Sequence, residues 1–114
     1  MGVNNDVETE NNIDPYLLNT YEDFVVRNIS DKVPATMELA WAQMGLTAEV
    51  GEFVEIYEKA LRKKGELTEE DYDKMRDELG DVLWYLTACA AFIDTDLEQL
   101  IYNNIAKLNA RGNK

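Results

Sequence analysis

Two short words in the sequence carry its chemistry: Glu49-Val50-Gly51-Glu52 and Glu78-Leu79-Gly80-Asp81. Each sets two carboxylates three residues apart, on one face of a helix. Carboxylates are hard oxygen donors. Two such pairs brought together suit Mg²⁺ or Mn²⁺, and Mg²⁺ usually completes its shell with water and phosphate oxygens. The chain has no histidine and a single cysteine, Cys89. Those absences exclude His-ligated zinc, Ser-His-Asp and Cys-His catalysis, and histidine as general base. They also set aside a ferritin-like di-iron centre, which needs Glu-x-x-His motifs, and a disulfide framework within the chain.

The position of these acids is the anomaly. On a wheel of about 100° per residue, Glu49 falls between Ile56 and Phe53, inside an apolar arc, with Glu52 at the arc's edge. Glu78 falls between Tyr85 and Val82, again inside an apolar arc, and Asp81 lies beside Phe92 at its edge. Such placement is costly. Like charges at this spacing repel by a few tenths of a kcal/mol, a lone buried carboxylate costs several kcal/mol, and each glycine inside a helix costs about 1 kcal/mol against alanine. Paired acids are common on solvated helix faces, and 23 acids make some coincidences inevitable. Two pairs, both on apolar faces and both with an interior glycine, outweigh that reading. No basic residue neighbours them on the wheel, so a divalent cation is the natural remedy.

The elements that must position them are helices. Asp14-Pro15 reads as an N-cap with proline at the first helical position, opening a helix over residues 15–28 with Leu17, Leu18, Tyr21, Phe24 and Val25 at helical spacing. A turn over 30–34 leads to a second helix from Pro34 or Ala35 to Lys64. Its apolar set is Leu39, Ala42, Leu46, Val50, Phe53, Tyr57, Ala60 and Leu61, its last turn is basic, and Gly65 ends it. Thr68 and Asp71 form an approximate capping box for a third helix reaching Ile93, and Thr95 with Glu98 a box for a fourth reaching Ala110. No stretch alternates with period two. The fold class is all-α, a four-helix bundle. The third helix is uncharged from Val82 to Ile93, and a helix apolar all round lies at the centre of something. In so small a chain, this implies completion by homo-oligomerisation, as a dimer or tetramer.

Residues 1–13 read as a disordered acidic tail and residues 14–114 as one domain. With 23 acids against 11 bases the formal charge is −12. That argues against polymeric nucleic acid and anionic membrane surfaces, which call for basic patches. The 12 uncharged residues of Val82–Ile93 are too few to span a bilayer, and the N-terminus is unlike a signal peptide. The expected location is the cytoplasm.

On the fourth helix Asn104 falls within the stripe of Leu97, Leu100, Ile101, Ile105 and Leu108, with Lys107 and Arg111 along its edge. An amide and two cations in line can meet phosphates or a base edge, although cations near a helix C-terminus are favoured by the dipole alone. Taken together, Gly45-Leu46-Thr47-Ala48-Glu49-Val50-Gly51-Glu52, Glu78-Leu79-Gly80-Asp81-Val82-Leu83-Trp84-Tyr85-Leu86 and Asn104-x-x-Lys107-Leu108-x-x-Arg111 resemble the MazG-type nucleoside triphosphate pyrophosphohydrolases. That all-α superfamily also includes dimeric dUTPases and dCTP pyrophosphatases. The likeness runs from about Leu17 to Arg111. It implies Mg²⁺-dependent cleavage of a nucleoside triphosphate between the α- and β-phosphates, with Glu49, Glu52, Glu78 and Asp81 as metal ligands. It further implies Asn104, Lys107 and Arg111 as substrate contacts and an oligomer with sites near the subunit interface. Trp41 or Tyr85 is a candidate to stack on the base, against the alternative that aromatics at helical spacing belong to the core. The competing readings are a nucleotide- or metal-binding helical module without turnover, a hydrolase of alarmone or damaged nucleotides, and a structural or antitoxin-like phage partner.

Overall fold

The computed structural model describes residues 14–63 and 65–112, so the expected tail over residues 1–13 lies outside the described residues. Among those described there are four α-helices and no strand: α1 (Leu17–Arg27), α2 (Glu38–Lys63), α3 (Glu69–Phe92) and α4 (Leu97–Ala110). A 3-10 turn over Ala35–Met37 precedes α2. The all-α expectation holds.

The caps show why the helices begin and end where they do. The Thr68 hydroxyl accepts the Asp71 amide, while the Asp71 carboxylate accepts the Thr68 amide, so the predicted box opens α3. At the end of α2 the Gly65 amide donates to the Ala60 carbonyl, and φ of 81° at this glycine is a conformation that other residues adopt only with strain. Asp14 does start the first turn, with its Oδ1 accepting the Tyr16 amide at 2.8 Å, but regular helix begins only at Leu17. The fourth helix corrects the sequence reading. Its cap is Asp96, accepting the Gln99 amide at 2.8 Å, rather than Thr95. The chain spends one more residue in the turn, where Asp94 takes a φ of 61° and Thr95 donates to the Ala90 carbonyl instead of capping.

α2 and α3 form an antiparallel hairpin, as their short connection requires. Pairs across it follow in opposite orders: Trp41 and Gly45 meet Tyr85 at one end, Glu49 meets Glu78 further along, and Ala60 and Asp71 line one cleft at the other. The two helices approach closely where Ala42 of α2 and Ala88 of α3 share one buried cluster, and Ala60 and Ala90 are buried as well. Gly45 is part of that approach, since a Cβ there would enter the Tyr85 ring. α1 crosses α3 and completes a small core of Val25, Ala42 and Ala88, ringed by Tyr21, Ile29, Trp41, Trp84, Cys89 and Phe92. α4 packs against α1 and, together with α1 and α3, borders an apolar cavity.

That core is thin. Val25 and Thr87 are the largest side chains fully enclosed. Of the apolar set expected inside α2, only Ala42 and Ala60 are buried and Leu46 and Phe53 are half-buried, whereas Leu39, Val50, Tyr57 and Leu61 are exposed. Likewise Leu17 and Phe24 of α1 are exposed. A stripe wider than one neighbour can cover leaves its flanks open. α3 is the central helix, as its uncharged stretch predicted, but Leu83 and Leu86 on it still reach solvent.

Candidate metal centre

Glu49 and Glu52 stand one turn apart on α2, and the antiparallel register brings Glu78 of α3 against them. One carboxylate oxygen from each of the three lies within 4.8 Å of the others. Glu49 and Glu78 are half-buried and Glu52 is exposed, so the group sits in a cleft with an open side. Oε1 of Glu49 and Oε1 of Glu78 are both enclosed, and among the described residues no group donates a hydrogen bond to either. Among the described residues the ion pairs are made elsewhere, by Glu55–Lys59, Glu58–Arg62, Glu70–Lys74 and Asp73–Arg76.

The electrostatics follow from this crowding. The Glu78 carboxyl is pushed above its ordinary 4.5, first by the proton it can share with Glu49, then by burial and by the negative charges of Glu49 and Asp81, while its contact with Glu52 acts the other way. Two carboxylates in a half-buried cleft cannot both stay ionised cheaply. A shared proton is one remedy and a bound cation the other. The donor set fits the second: three carboxylates converge, and Glu49 and Glu78 each carry an enclosed oxygen without a hydrogen-bond partner among the described residues, a setting that suits a small divalent cation.

Other residues singled out in the sequence fall in separate places. Asp81 is exposed and outside the close group of three, although its charge acts on both Glu78 and the Tyr21 hydroxyl. Trp41 is half-buried and meets Trp84 and Tyr85 edge-on, with ring centroids 6.3 and 5.6 Å away. Asn104 lines an apolar cavity of about 540 Å³ between α1, α3 and α4, together with Tyr21, Leu83, Leu86, Leu97 and others. Lys107 and Arg111 are exposed along α4, and neither forms an ion pair with the four acids.

Two residues of α1 have surroundings that the sequence reading did not anticipate: Tyr21 counts there only as part of an apolar face, and Glu22 is not singled out. Tyr21 bounds the cavity and feels Asp81; burial first, and that charge second, push its hydroxyl above the ordinary 10.0. Glu22 is half-buried and accepts the Leu97 amide at the start of α4. The signal was present in the spacing. Glu22 shares a helix face with Leu18, Val25 and Ile29, an acid among apolar residues like Glu49 and Glu78.

Comparison with known proteins agrees with this geometry. The profile of the MazG nucleotide pyrophosphohydrolase domain matches residues 41–114, which include nearly all of α2, the whole of α3 and α4, and all four acids. The "Gene 37 protein" of Mycobacterium phage L5 is 39% identical over 74 residues, covering 64% of this chain and 65% of that protein. The chain thus spans just under two thirds of that relative. No solved structure matches significantly. With the profile covering well over half its length and the paired acids inside the match, this chain belongs to the MazG nucleotide pyrophosphohydrolase domain family.

Proposed function

We propose that the protein is a Mg²⁺-dependent nucleoside triphosphate pyrophosphohydrolase, with Mn²⁺ as an alternative cation. The observation that carries this reading is the trio of Glu49, Glu52 and Glu78, with two enclosed carboxylate oxygens that have no hydrogen-bond partner among the described residues. These three, with Asp81 as a fourth acid, are the residues to hold the cation. Bound there, it would neutralise charge on the phosphate oxygens as the leaving pyrophosphate develops it.

The chain's own groups supply the rest. Without histidine, an acid must orient the attacking water, and a carboxylate oxygen of Glu49 or Glu52 takes its proton. The water oxygen bonds to the α-phosphorus as the bond to the bridging oxygen breaks, giving a nucleoside monophosphate and pyrophosphate. Asn104, Lys107 and Arg111 are the proposed contacts to the substrate, the two cations holding the phosphate chain against a molecule whose formal charge is −12. Trp41, beside Tyr85 in the aromatic group two turns from Glu49, is the proposed stacking residue. Residues 14–114 act as one domain, and the partner classes are a nucleoside triphosphate and further copies of the same chain. No helix among the described residues is long and apolar enough to cross a membrane.

The test is to incubate the protein with the common ribo- and deoxyribonucleoside triphosphates and Mg²⁺ or Mn²⁺, then identify the products. Monophosphate plus pyrophosphate is the expected outcome. Orthophosphate release, or binding without turnover, would replace this reading by one of its competitors.

A further inference from the structure

α4 carries Asn104 and Lys107, with Arg111 at its C-cap, and its most buried residue is its first. Along its apolar stripe Leu97 is 6% exposed, Leu100 38%, Ile101 47% and Ile105 51%, and Leu108 is half-buried. The anchored end has three attachments. The side chain of Leu97 is buried. Asp96 caps the helix from within. Oε2 of Glu22, on α1, accepts the Leu97 amide at 2.6 Å across 75 residues of sequence. The last is the contact that fixes α4 relative to another helix. A carboxylate accepting an amide at a helix N-terminus makes a charge-assisted bond to the positive end of the helix dipole. It is also directional, so it constrains the angle at which α4 leaves α1.

The neighbouring residue explains why that angle matters. Tyr21 precedes Glu22 on α1, lies within reach of the Asp81 charge, and bounds the cavity whose far wall includes Asn104. Tyr21 and Glu22 thus set one part of α1 against the apolar cavity and the start of α4. Because Lys107 and Arg111 lie at the other end of α4 from Leu97, a small rotation at Leu97 moves them furthest.

We infer that Glu22 is a positioning residue: by gripping the N-terminus of α4 it sets the distance of Asn104, Lys107 and Arg111 from the acidic cleft, and so governs affinity for the triphosphate without touching it. This rests on the reading of those three residues as substrate contacts.

The experiment compares E22A and E22Q with the parent protein, using the fastest-cleaved of the common nucleoside triphosphates. E22A is expected to raise KM about tenfold and change kcat by less than about threefold. Affinity for Mn²⁺ alone, measured by titration, stays unchanged. E22Q retains an amide acceptor but not the charge, and recovers part of the lost affinity. A pair of spin labels on α3 and α4, at Asp77→Cys and Asn109→Cys in a Cys89→Ala background, reports the helix angle directly, and E22A broadens or shifts that distance. An unchanged distance distribution overturns the inference, as does a normal KM in a variant whose helix has moved. Equal loss of Mn²⁺ affinity and turnover would overturn it in favour of a purely structural role. The underlying reading fails separately, through absence of pyrophosphate release by the parent protein or a normal KM in K107A and R111A.

Discussion

Glu78 is the residue in which fold and chemistry conflict most. It is surrounded by negative charge and half-enclosed, and its protonated form is favoured as a result. Replacing it by glutamine removes a repulsive charge and keeps the shape. E78Q is therefore expected to lose at least about a hundredfold in turnover, the scale of a general-base or electrostatic contribution. Its metal-free fold should melt no lower than the parent; a markedly lower melt in EDTA would make Glu78 a structural residue. The same logic gives a pH dependence. Because this carboxyl holds its proton more tightly folded than unfolded, its stabilising contribution is complete below the ordinary 4.5 and is lost as pH rises through the raised value. Melting curves in EDTA at increasing pH should show that loss in the parent and not in E78Q. Cation binding should reverse it. Free Mg²⁺ or Mn²⁺ at a hundred times its dissociation constant is expected to add about 2.7 kcal/mol, and a melting temperature unmoved by millimolar metal would count against the site.

At the scale of the helices, the three glycines of α2 and α3 behave differently. Gly45 lies where Tyr85 presses on the backbone of α2, and any side chain there meets the ring. G45A is expected to destabilise by about 1–3 kcal/mol through overpacking. Gly51 and Gly80, the glycines inside the acidic words, have nothing within 4 Å of the place a Cβ would occupy. An isolated helix gains up to about 1 kcal/mol from alanine at such sites, so G51A should raise the chemical-denaturation midpoint. A loss instead would show that another molecule approaches the backbone there. The spacing singles out Gly51 and Gly80, and Gly45 enters only as the first residue of the family-like motif, because spacing identifies a glycine within a helix but not which neighbour it faces.

For the whole molecule, the imbalance is between a small interior and a large apolar exterior. Interior alanines bring α2 and α3 together but bury little carbon. Meanwhile Leu17, Leu79, Leu83, Ile101 and Ile105 lie open on three different helices. Patches of this kind mark interaction surfaces, and we propose that further copies of the chain cover them. Sedimentation of the parent protein should give a dimer or tetramer. I101E with I105E, at two of the most open positions of α4, is expected to shift it toward the monomer and lower its melting temperature. A monomeric parent protein with an unaltered melting curve in the double variant would refute the proposed assembly.

Much of this was legible in the linear sequence because it depends on local rules. Helix periodicity, the Thr68–Asp71 box and the Gly65 stop are set by neighbours within a turn or two, and they gave the helices to within a few residues. The acids of the cleft were visible for the same reason, as charge at positions whose spacing demanded carbon. What only the tertiary structure decided is which of those positions meet. Register across the hairpin placed Glu49, Glu52 and Glu78 together and left Asp81 outside the trio, and the extra turn residue moved the α4 cap from Thr95 to Asp96. The bond from Leu97 to Glu22 joins positions 75 residues apart. No local rule contains that information, since it arises from how whole helices pack and not from the spacing of residues within them.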